Sequence, residues 1–571
     1  MNIYHKYLKL NNIFLFLAGY GVLTYIPLSE AALALPDPAE IPRPQPTLPV
    51  PSKLPDIKSQ EKPAYRPTAE EKDIKIIVER FIFTGNKVFS NEHLSGLTKD
   101  FTGHEIGLKE LNQATSLITD YYRKRGYFLA QAYLPAQDIK NAAVEIAVLE
   151  GKLGQMKLGD NEKLDEEYLK KMATYRIRPG DTMSENNLVR NITLLNALPG
   201  IKASAQLNPG EAVGSSDVEI DLQPLPTFEG DIGVNTYGNR FTNREVAYAS
   251  ARWNNPAGIG DQLYLNVKSA RDEGQRGLSF GYLTPVHESG TMLSLGYNFV
   301  DYKLGGQFKQ LDASGDSQYF TFSLDQPILR NARYGVTARL GGAYKLVDDE
   351  VSAFTLNNRR SVSNIDLGIY GDWLNNSADV SYQVGLNLQG GHVHFKNDFA
   401  KTLDDSGAKS KGNFLKYNLM ASRTQYFNNG FVLALRADYQ DANRNLDSVE
   451  KMSIGGISRW RAFAELPSLA DTGFMAGAEL RKNITAGPKM ANFLLEGLSP
   501  YGFVDFGRGK INQKTLSDDN HVKSTHYGIG IDAAFKKKWL LGLTVSHQRR
   551  DIDGAKAENE TRLWSQIEKD F

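Results

Sequence analysis

Leu293-Ser294-Leu295-Gly296-Tyr297-Asn298-Phe299 is the stretch on which the fold turns. Apolar and aromatic side chains take every second position, with Ser, Gly and Asn between them. A period of two puts the first set on one face of a β-strand and the second set on the other. The alternation returns in Leu263 to Lys268, Asn364 to Trp373, Tyr382 to Leu388 and Phe431 to Gln440. In each run one face is apolar and capped by aromatics, and the other is polar and often Gly. A soluble sandwich also alternates, but it buries its apolar faces without aromatic rims. Strands of about 9 to 11 residues with an apolar outer face and aromatic ends are the pattern of a transmembrane barrel.

This texture starts after Pro224-Leu225-Pro226 and holds to Phe571. Residues 227–571 are therefore read as one transmembrane antiparallel β-barrel. At roughly 20 to 22 residues per spanning strand with its connection, the length predicts about 16 strands, and closure favours an even number. Phe571 shares a face with Leu563 and Ile567, which suits a last barrel strand.

The chain has 571 residues, too many for one core, so several domains are expected. Lys plus Arg and Asp plus Glu number 66 each, and no net charge draws the chain to nucleic acid. The absence of Cys excludes thiolate metal sites, disulfides and Cys nucleophiles. Residues 1–34 read as a secretory signal. His5, Lys6 and Lys9 precede an apolar run from Ile13 to Ile26, and Ala32-Leu33-Ala34 offers a small-residue cleavage site. A single membrane anchor is the alternative, but the apolar run is short for one. Residues 35–73 carry ten prolines between Pro36 and Pro67 and read as an extended, semi-rigid tether.

Two units of order β-α-α-β-β follow, at 74–153 and 154–226. The first opens on a strand from Ile74 to Phe83, ended by Thr84-Gly85-Asn86, and Ser90 caps a short helix. A longer helix places Leu108, Leu111, Thr115, Ile118 and Tyr122 on one face and stops at Gly126. Strands near Leu129 to Leu134 and Val144 to Leu149 close the unit. The second repeats the plan with a strand from Gln155 to Leu158, helices from Asp165 and Ser184, and strands at Ala203 to Leu207 and Val218 to Leu222. Val144-Glu145-Ile146 and Val218-Glu219-Ile220 match in place, so the pair reads as a domain duplication.

Clusters that could carry chemistry are few. His392 and His394 share a strand face but make an incomplete metal site, and read as polar lumen or rim residues. Glu145, Glu150, Glu219 and Asp221 fall at strand ends, where solvated charge is expected. Lys536-Lys537-Lys538 beside Trp539 reads as a turn at the lipid headgroups. No phosphate-binding Gly-Lys-Ser/Thr loop and no Ser-His-acid set stands at a recognisable spacing. The reading is a non-enzyme with no catalytic residue, metal or cofactor.

The chain resembles the outer-membrane transporters of two-partner secretion, of the haemolysin and haemagglutinin secretion-activation type, over nearly its whole length after the signal. The two small units look like polypeptide-transport-associated (POTRA) domains. Phe83-Thr84-Gly85-Asn86, Gly126-Tyr127, Leu134-Pro135, Val234 to Arg240 and Asn255 to Leu263 stand where that family has similar residues. Its Val-Arg-Gly-Tyr/Phe loop tip is matched by Gly455-Gly456-Ile457-Ser458-Arg459-Trp460-Arg461-Ala462-Phe463, with Trp460 for Val and Ala462 for Gly. Its Phe-x-Asp-x-Gly strand is matched by Phe503-Val504-Asp505-Phe506-Gly507.

The resemblance implies an outer-membrane barrel with periplasmic POTRA domains that exports a large secreted partner protein. It also implies that the Arg461 loop, with Phe463, latches onto Asp505 in the lumen; a guanidinium and a carboxylate suit such a clamp. An unfolded partner would be caught by strand addition at a POTRA sheet edge. The candidate edges are Leu129, Gln131 and Tyr133 in the first domain and Ala203, Ala205 and Leu207 in the second. The other expected partner is outer-membrane lipid, and the chain is expected to be a monomer. An insertase of the same superfamily is the alternative, although such proteins usually carry more POTRA domains.

Overall fold

The computed structural model describes residues 57–59, 75–159, 165–331, 333–455, 468–485, 495–514 and 520–571. The signal and most of the proline-rich tether lie outside the described residues, as do Arg461 and Phe463.

The first described element is β1 (Ile57–Ser59). The first domain comprises β2 (Ile76–Val78), β3 (Arg80–Thr84), α1 (Asn91–Leu97), β4 (His104–Ile106), α2 (Leu108–Lys124), β5 (Gln131–Tyr133) and β6 (Ala143–Leu149). Ser90 caps α1, its Oγ accepting from the His93 amide. Helix α2 buries Leu111, Ala114, Thr115, Ile118 and Tyr122 on one face, against a sheet ordered β3-β6-β5. The opening strand is split at Glu79, and β2 pairs with β4 instead. The second domain comprises β7 (Lys152–Leu158), α3 (Glu166–Ala173), α4 (Glu185–Asn196), β8 (Ile201–Pro209) and β9 (Ser215–Pro224). Its sheet is ordered β1-β8-β9-β7, so a piece of the tether has joined it.

The barrel strands are β10 (Phe228–Asn235), β11 (Val246–Asn254), β12 (Gln262–Ala270), β13 (Gln275–His287), β14 (Thr291–Lys303), β15 (Ala313–Arg330) and β16 (Tyr334–Val351). They continue with β17 (Leu356–Leu374), β18 (Val380–Phe395), a loop helix α5 (Asp398–Ser406), β19 (Gly412–Tyr426) and β20 (Phe431–Ala442). The loop after β20 contains the hairpin β21 (Met452–Ile454) and β22 (Ser468–Ala470). Then come β23 (Thr472–Lys482) with its short continuation β24 (Ile484–Thr485), β25 (Leu495–Lys510), β26 (His521–Phe535), β27 (Trp539–Ile552) and β28 (Glu558–Asp570). With β23 and β24 taken as one interrupted strand, sixteen antiparallel strands close between β10 and β28. Closure leaves no open sheet edge in the barrel wall.

The predicted outer face is the outer face. Ile365, Leu367, Ile369 and Trp373 on β17, and Val384, Leu386 and Leu388 on β18, point outward and are exposed. The strands are not uniformly 9 to 11 residues long. β10 to β12 have 8 or 9, whereas β15, β16 and β17 have 18, 18 and 19. At about 3.4 Å per residue the long ones outreach a hydrocarbon layer of about 30 Å. Their surplus lies at the end far from the small domains, where polar runs such as Asn357 to Arg360 keep the ladder paired outside the lipid belt.

The second domain sits on the near end of the barrel. Arg190 on α4, buried, donates from Nη2 to the Ser289 carbonyl at 2.8 Å in the β13–β14 turn. Burial lowers the pKa of this guanidinium below its usual value, and the nearby Arg176 charge adds to the effect. Gly290 (φ 88°) lets Leu194 close on that turn, and the β11–β12 turn carries Gly260 against Leu198. The Asp165 amide bonds the Gly258 carbonyl at 2.8 Å. Asn255 to Asp261, matched to the family on sequence, is thus the turn on which the second domain rests.

Candidate functional site

Alternation along β25 settles where the motif Asp points. Val504 and Phe506 face outward, 49% and 44% exposed, so Phe503, Asp505 and Gly507 face the lumen. Asp505 is buried there, with Nδ1 of His526 on β26 at 3.9 Å from its Oδ2. The Phe503 ring meets the same imidazole edge-on at 5.1 Å.

The glycines beside it have a packing reason. A Cβ on Gly507 would lie 2.9 Å from Ile454, on Gly473 2.7 Å from Ile454, and on Gly509 2.6 Å from Ala470. They form a bare strip on the inner wall, and the β21–β22 hairpin is seated on it. The next residue, Gly455, takes φ 71° beside Ser524, a conformation that glycine adopts without strain. Its carbonyl accepts from Gln548 Nε2 at 2.8 Å. Ser524 pairs with Gly507, and His526 with Asp505. The last described residue before 456–467, Gly455, therefore stands one inward-facing position from Asp505, and the described chain resumes at Ser468 opposite Ile454.

The loop base is held by a second set of residues that sequence reading missed. Glu450, 1% exposed, receives Lys345 Nζ at 2.6 Å and Lys416 Nζ at 2.8 Å. Asn364 and Gln389 amides donate to its two oxygens at 2.9 and 3.1 Å, and Gln440 donates to its carbonyl at 3.3 Å. Those donors stand on β16, β17, β18, β19 and β20 in turn. One step earlier, Asp447 takes the Arg360 Nε at 2.7 Å, and Arg360 also reaches Asp349 at 2.6 Å. Leu446 and Val449 bury themselves in an apolar layer with Tyr319, Val347, Val362, Val393 and Phe414. Lys451 pairs with Asp471 at 3.1 Å, tying the start of the loop to its end. The loop base thus touches the inner wall from β16 round to β27. No local sequence signal announces this, because the partners are inward-facing polar residues up to 105 positions away.

The two candidate strand edges differ in kind. In the first domain only Gln131 and Tyr133 lie on β5, an edge strand. Leu129 precedes it and packs towards the core of the second domain. The Ala132 amide on this edge is already taken by Thr119 Oγ1 at 2.9 Å. In the second domain Ala203, Ala205 and Leu207 are each 4% exposed. Their side chains fill the core, so only their main chain can meet a partner.

Glu150 corrects the expectation of solvated charge at strand ends. It is 5% exposed, and Oε1 accepts the Lys87 and Val88 amides at 2.6 and 2.7 Å and the Tyr122 hydroxyl at 3.0 Å. Thr182 of the second domain reaches Oε2 at 3.4 Å. Burial, reinforced by the Glu150 charge, raises the Tyr122 pKa well above its usual value. The reason is the chain path: Gly151 leads directly from β6 into β7, which leaves the strand end inside the domain junction. His392 and His394 lie on the exposed outer face of β18, at the far rim rather than in the lumen. Lys537 and Lys538, at φ 61° and 60°, form the tight near-end turn between β26 and β27.

Residues 214–533 match the family described as haemolysin secretion/activation protein ShlB/FhaC/HecB, and residues 76–151 match the POTRA domain of ShlB type. The chain is 24% identical over 491 residues to the heme/hemopexin transporter protein HuxB of Haemophilus influenzae (strain 86-028NP), covering 85% of each. It is 23% identical over 481 residues to the hemolysin transporter protein ShlB of Serratia marcescens, covering 79% of this chain and 78% of that one. The solved structure of CdiB from Escherichia coli superposes with a TM-score of 0.71 at 17% identity, over 89% of this chain and 93% of that one, a likeness of fold. With the matched region more than half the chain, and a closed barrel behind two small domains, this protein belongs to the haemolysin secretion/activation protein ShlB/FhaC/HecB family.

Proposed function

We propose that this outer-membrane transporter of two-partner secretion holds its pore shut with the loop after β20 and opens it when a partner protein arrives. The partner comes to the periplasmic POTRA domains unfolded, and main-chain hydrogen bonds at a sheet edge hold it without demanding one sequence. Arg461 is the inner catch of the loop, with Phe463 beside it and the Asp505 carboxylate as its seat. Release of the loop clears the lumen, and the partner threads through and folds outside. Folding supplies the drive, so no nucleotide hydrolysis is needed. The exposed apolar belt is solvated by outer-membrane lipid, and the closed wall works as a monomer.

One observation supports the reading: the loop base is seated against the lumen wall from β16 round to β27, and Gly455 lies beside Gly507 and Ser524, one inward-facing position from Asp505. The test is export of the partner by Arg461→Ala and Asp505→Ala variants, with outer-membrane levels and heat-modifiable mobility of the barrel as controls. Export should fall sharply in both while the barrel assembles normally. Unimpaired export from both variants removes the catch.

A further inference from the structure

The far ends of β25 and β26 carry a pair of like charges on the outer face. Gly507 and Ser524 point into the lumen, so their neighbours Arg508 and Lys523 point outward, and both are exposed. Strand pairing sets these two cations directly opposite each other. Like charges so placed destabilise a sheet. Among the described residues neither head group has a hydrogen bond or ion pair. The charges around them are engaged. Asp551, opposite Lys523 on β27, is held by Arg549 at 3.1 Å; His521 meets Asp553 at 3.0 Å, and Lys510 donates to the Gln513 carbonyl at 2.8 Å. Phe506, one outward step towards the small domains, is exposed in the apolar belt. The pair therefore stands where the belt ends, on the side of the membrane away from the periplasm. It is not a property of the whole rim: on β15 and β16 the outward row at that end is acidic, with Asp316 opposite Asp348 and Glu350 opposite Ser314.

Beside the pair lies a concavity of about 590 Å³ in the lipid-facing wall. Gly371, Ala421 and Ala437, small residues of one cross-strand row, form its floor, and Leu386, Leu419 and Phe474 of the next row outward bank it. Phe474 stands opposite Arg508, so the furrow and the cation pair share a border. We propose that this face binds one lipopolysaccharide molecule of the outer leaflet, with a lipid A phosphate on Arg508 and Lys523 and an acyl chain in the furrow behind Phe474. A guanidinium grips a phosphate with two parallel hydrogen bonds, and the ammonium adds a compact charge. A shared anion turns the repulsion between the two cations into attraction, as basic clusters do at anionic lipid surfaces. Lipid A carries its phosphates directly above its acyl chains, the order in which the pair and the furrow follow each other here. Gly507 and Gly509, the inward neighbours of Arg508, seat the β21–β22 hairpin, so the lipid braces the wall behind the loop.

Native mass spectrometry of the purified full-length chain tests this, with bisphosphorylated lipopolysaccharide as the probe. One molecule should bind per barrel. Arg508→Gln/Lys523→Gln should weaken binding roughly 30-fold, since each cation at an anionic lipid surface contributes several-fold. Lys303→Gln/Arg359→Gln removes two outward cations of the same end that already hold Asp312 and Asp348, and should leave binding unchanged. Ala437→Phe fills the furrow without touching a charge and should also weaken binding. Heat-modifiable mobility of each variant controls for folding of the barrel. Equal loss in the two double variants overturns the site in favour of diffuse charge, and full binding by Arg508→Gln/Lys523→Gln overturns it outright. Dephosphorylated lipopolysaccharide that binds as tightly as the intact lipid removes the phosphate seat. Inorganic phosphate that competes at the lipid's own affinity, with Ala437→Phe unaffected, removes the furrow and leaves a site for free phosphate.

Discussion

Two buried glutamates hold this molecule together in different ways. Glu150, between the POTRA domains, is met by two main-chain amides and the hydroxyls of Tyr122 and Thr182. Glu450, in the barrel lumen, is met by two lysine ammoniums and the side-chain amides of Asn364 and Gln389. Main-chain donors cannot swing away, so the first site is a weld. The donors of the second stand at the ends of flexible stems on strands that stay paired whether or not the loop is present. That arrangement can let go of a loop without unfolding a barrel. On the function proposed above, the fixed junction would aim the periplasmic domains and the releasable one would gate the pore.

The strongest way to break the contrast is Glu450→Ala. It leaves Lys345 and Lys416 buried side by side without their shared carboxylate, and removing one partner from a buried ion pair costs about 3–5 kcal/mol. The loop base should come away from β16 to β20. The purified chain should conduct more ions across planar bilayers, and the loop should become sensitive to protease added outside intact cells. Unchanged conductance with a protected loop would show that the anchor lies elsewhere. Glu450→Gln keeps the shape and some of the hydrogen bonds, and should fall between.

Glu150→Ala comes next. It strands two buried amides, at about 1–3 kcal/mol each before relaxation or water entry. The junction should loosen, so that protease cuts near Gly151 and export falls, while bilayer conductance stays at the wild-type level. A rise in conductance would mean that the domain junction also gates the pore, and would erase the distinction drawn above.

The sequence made some of this legible and hid the rest for physical reasons. Leu293 to Phe299 announced the barrel because lipid on one side and water on the other enforce a period of two. The upper halves of β15 to β17 stand above the lipid, lose that alternation, and so hid the true strand lengths. Asp505 was readable from its motif, and the neighbouring glycines gained their reason only once Ile454 was seen lying on them. Glu450 could not be found, since its lysines come from 105 and 34 positions away along the chain. Glu150 was misread because a strand end is normally wet, and here the next domain's first strand begins two residues later. β1 was hidden by the ten prolines around it, a composition that argues against any ladder.

Tyr122→Phe is the smallest and sharpest probe of the weld. It removes one hydroxyl from Glu150 and leaves both main-chain amides in place, so the loss near neutral pH should be about 1 kcal/mol. Helical far-ultraviolet dichroism of the full-length chain follows it, because four of its five described helices belong to the POTRA domains. The pH dependence carries the mechanism. Burial and the neighbouring Glu150 charge raise the Tyr122 pKa in the folded domain, so its stabilising effect is complete below the ordinary tyrosine value near 10. Above that pH the unfolded tyrosine ionises while the folded one resists, and the wild type loses stability that the Phe variant keeps. The gap between the two should close as pH rises beyond 10. A gap that stays constant to pH 11 would mean that the hydroxyl does not sit dry against Glu150, and the junction would then rest on the two amides alone.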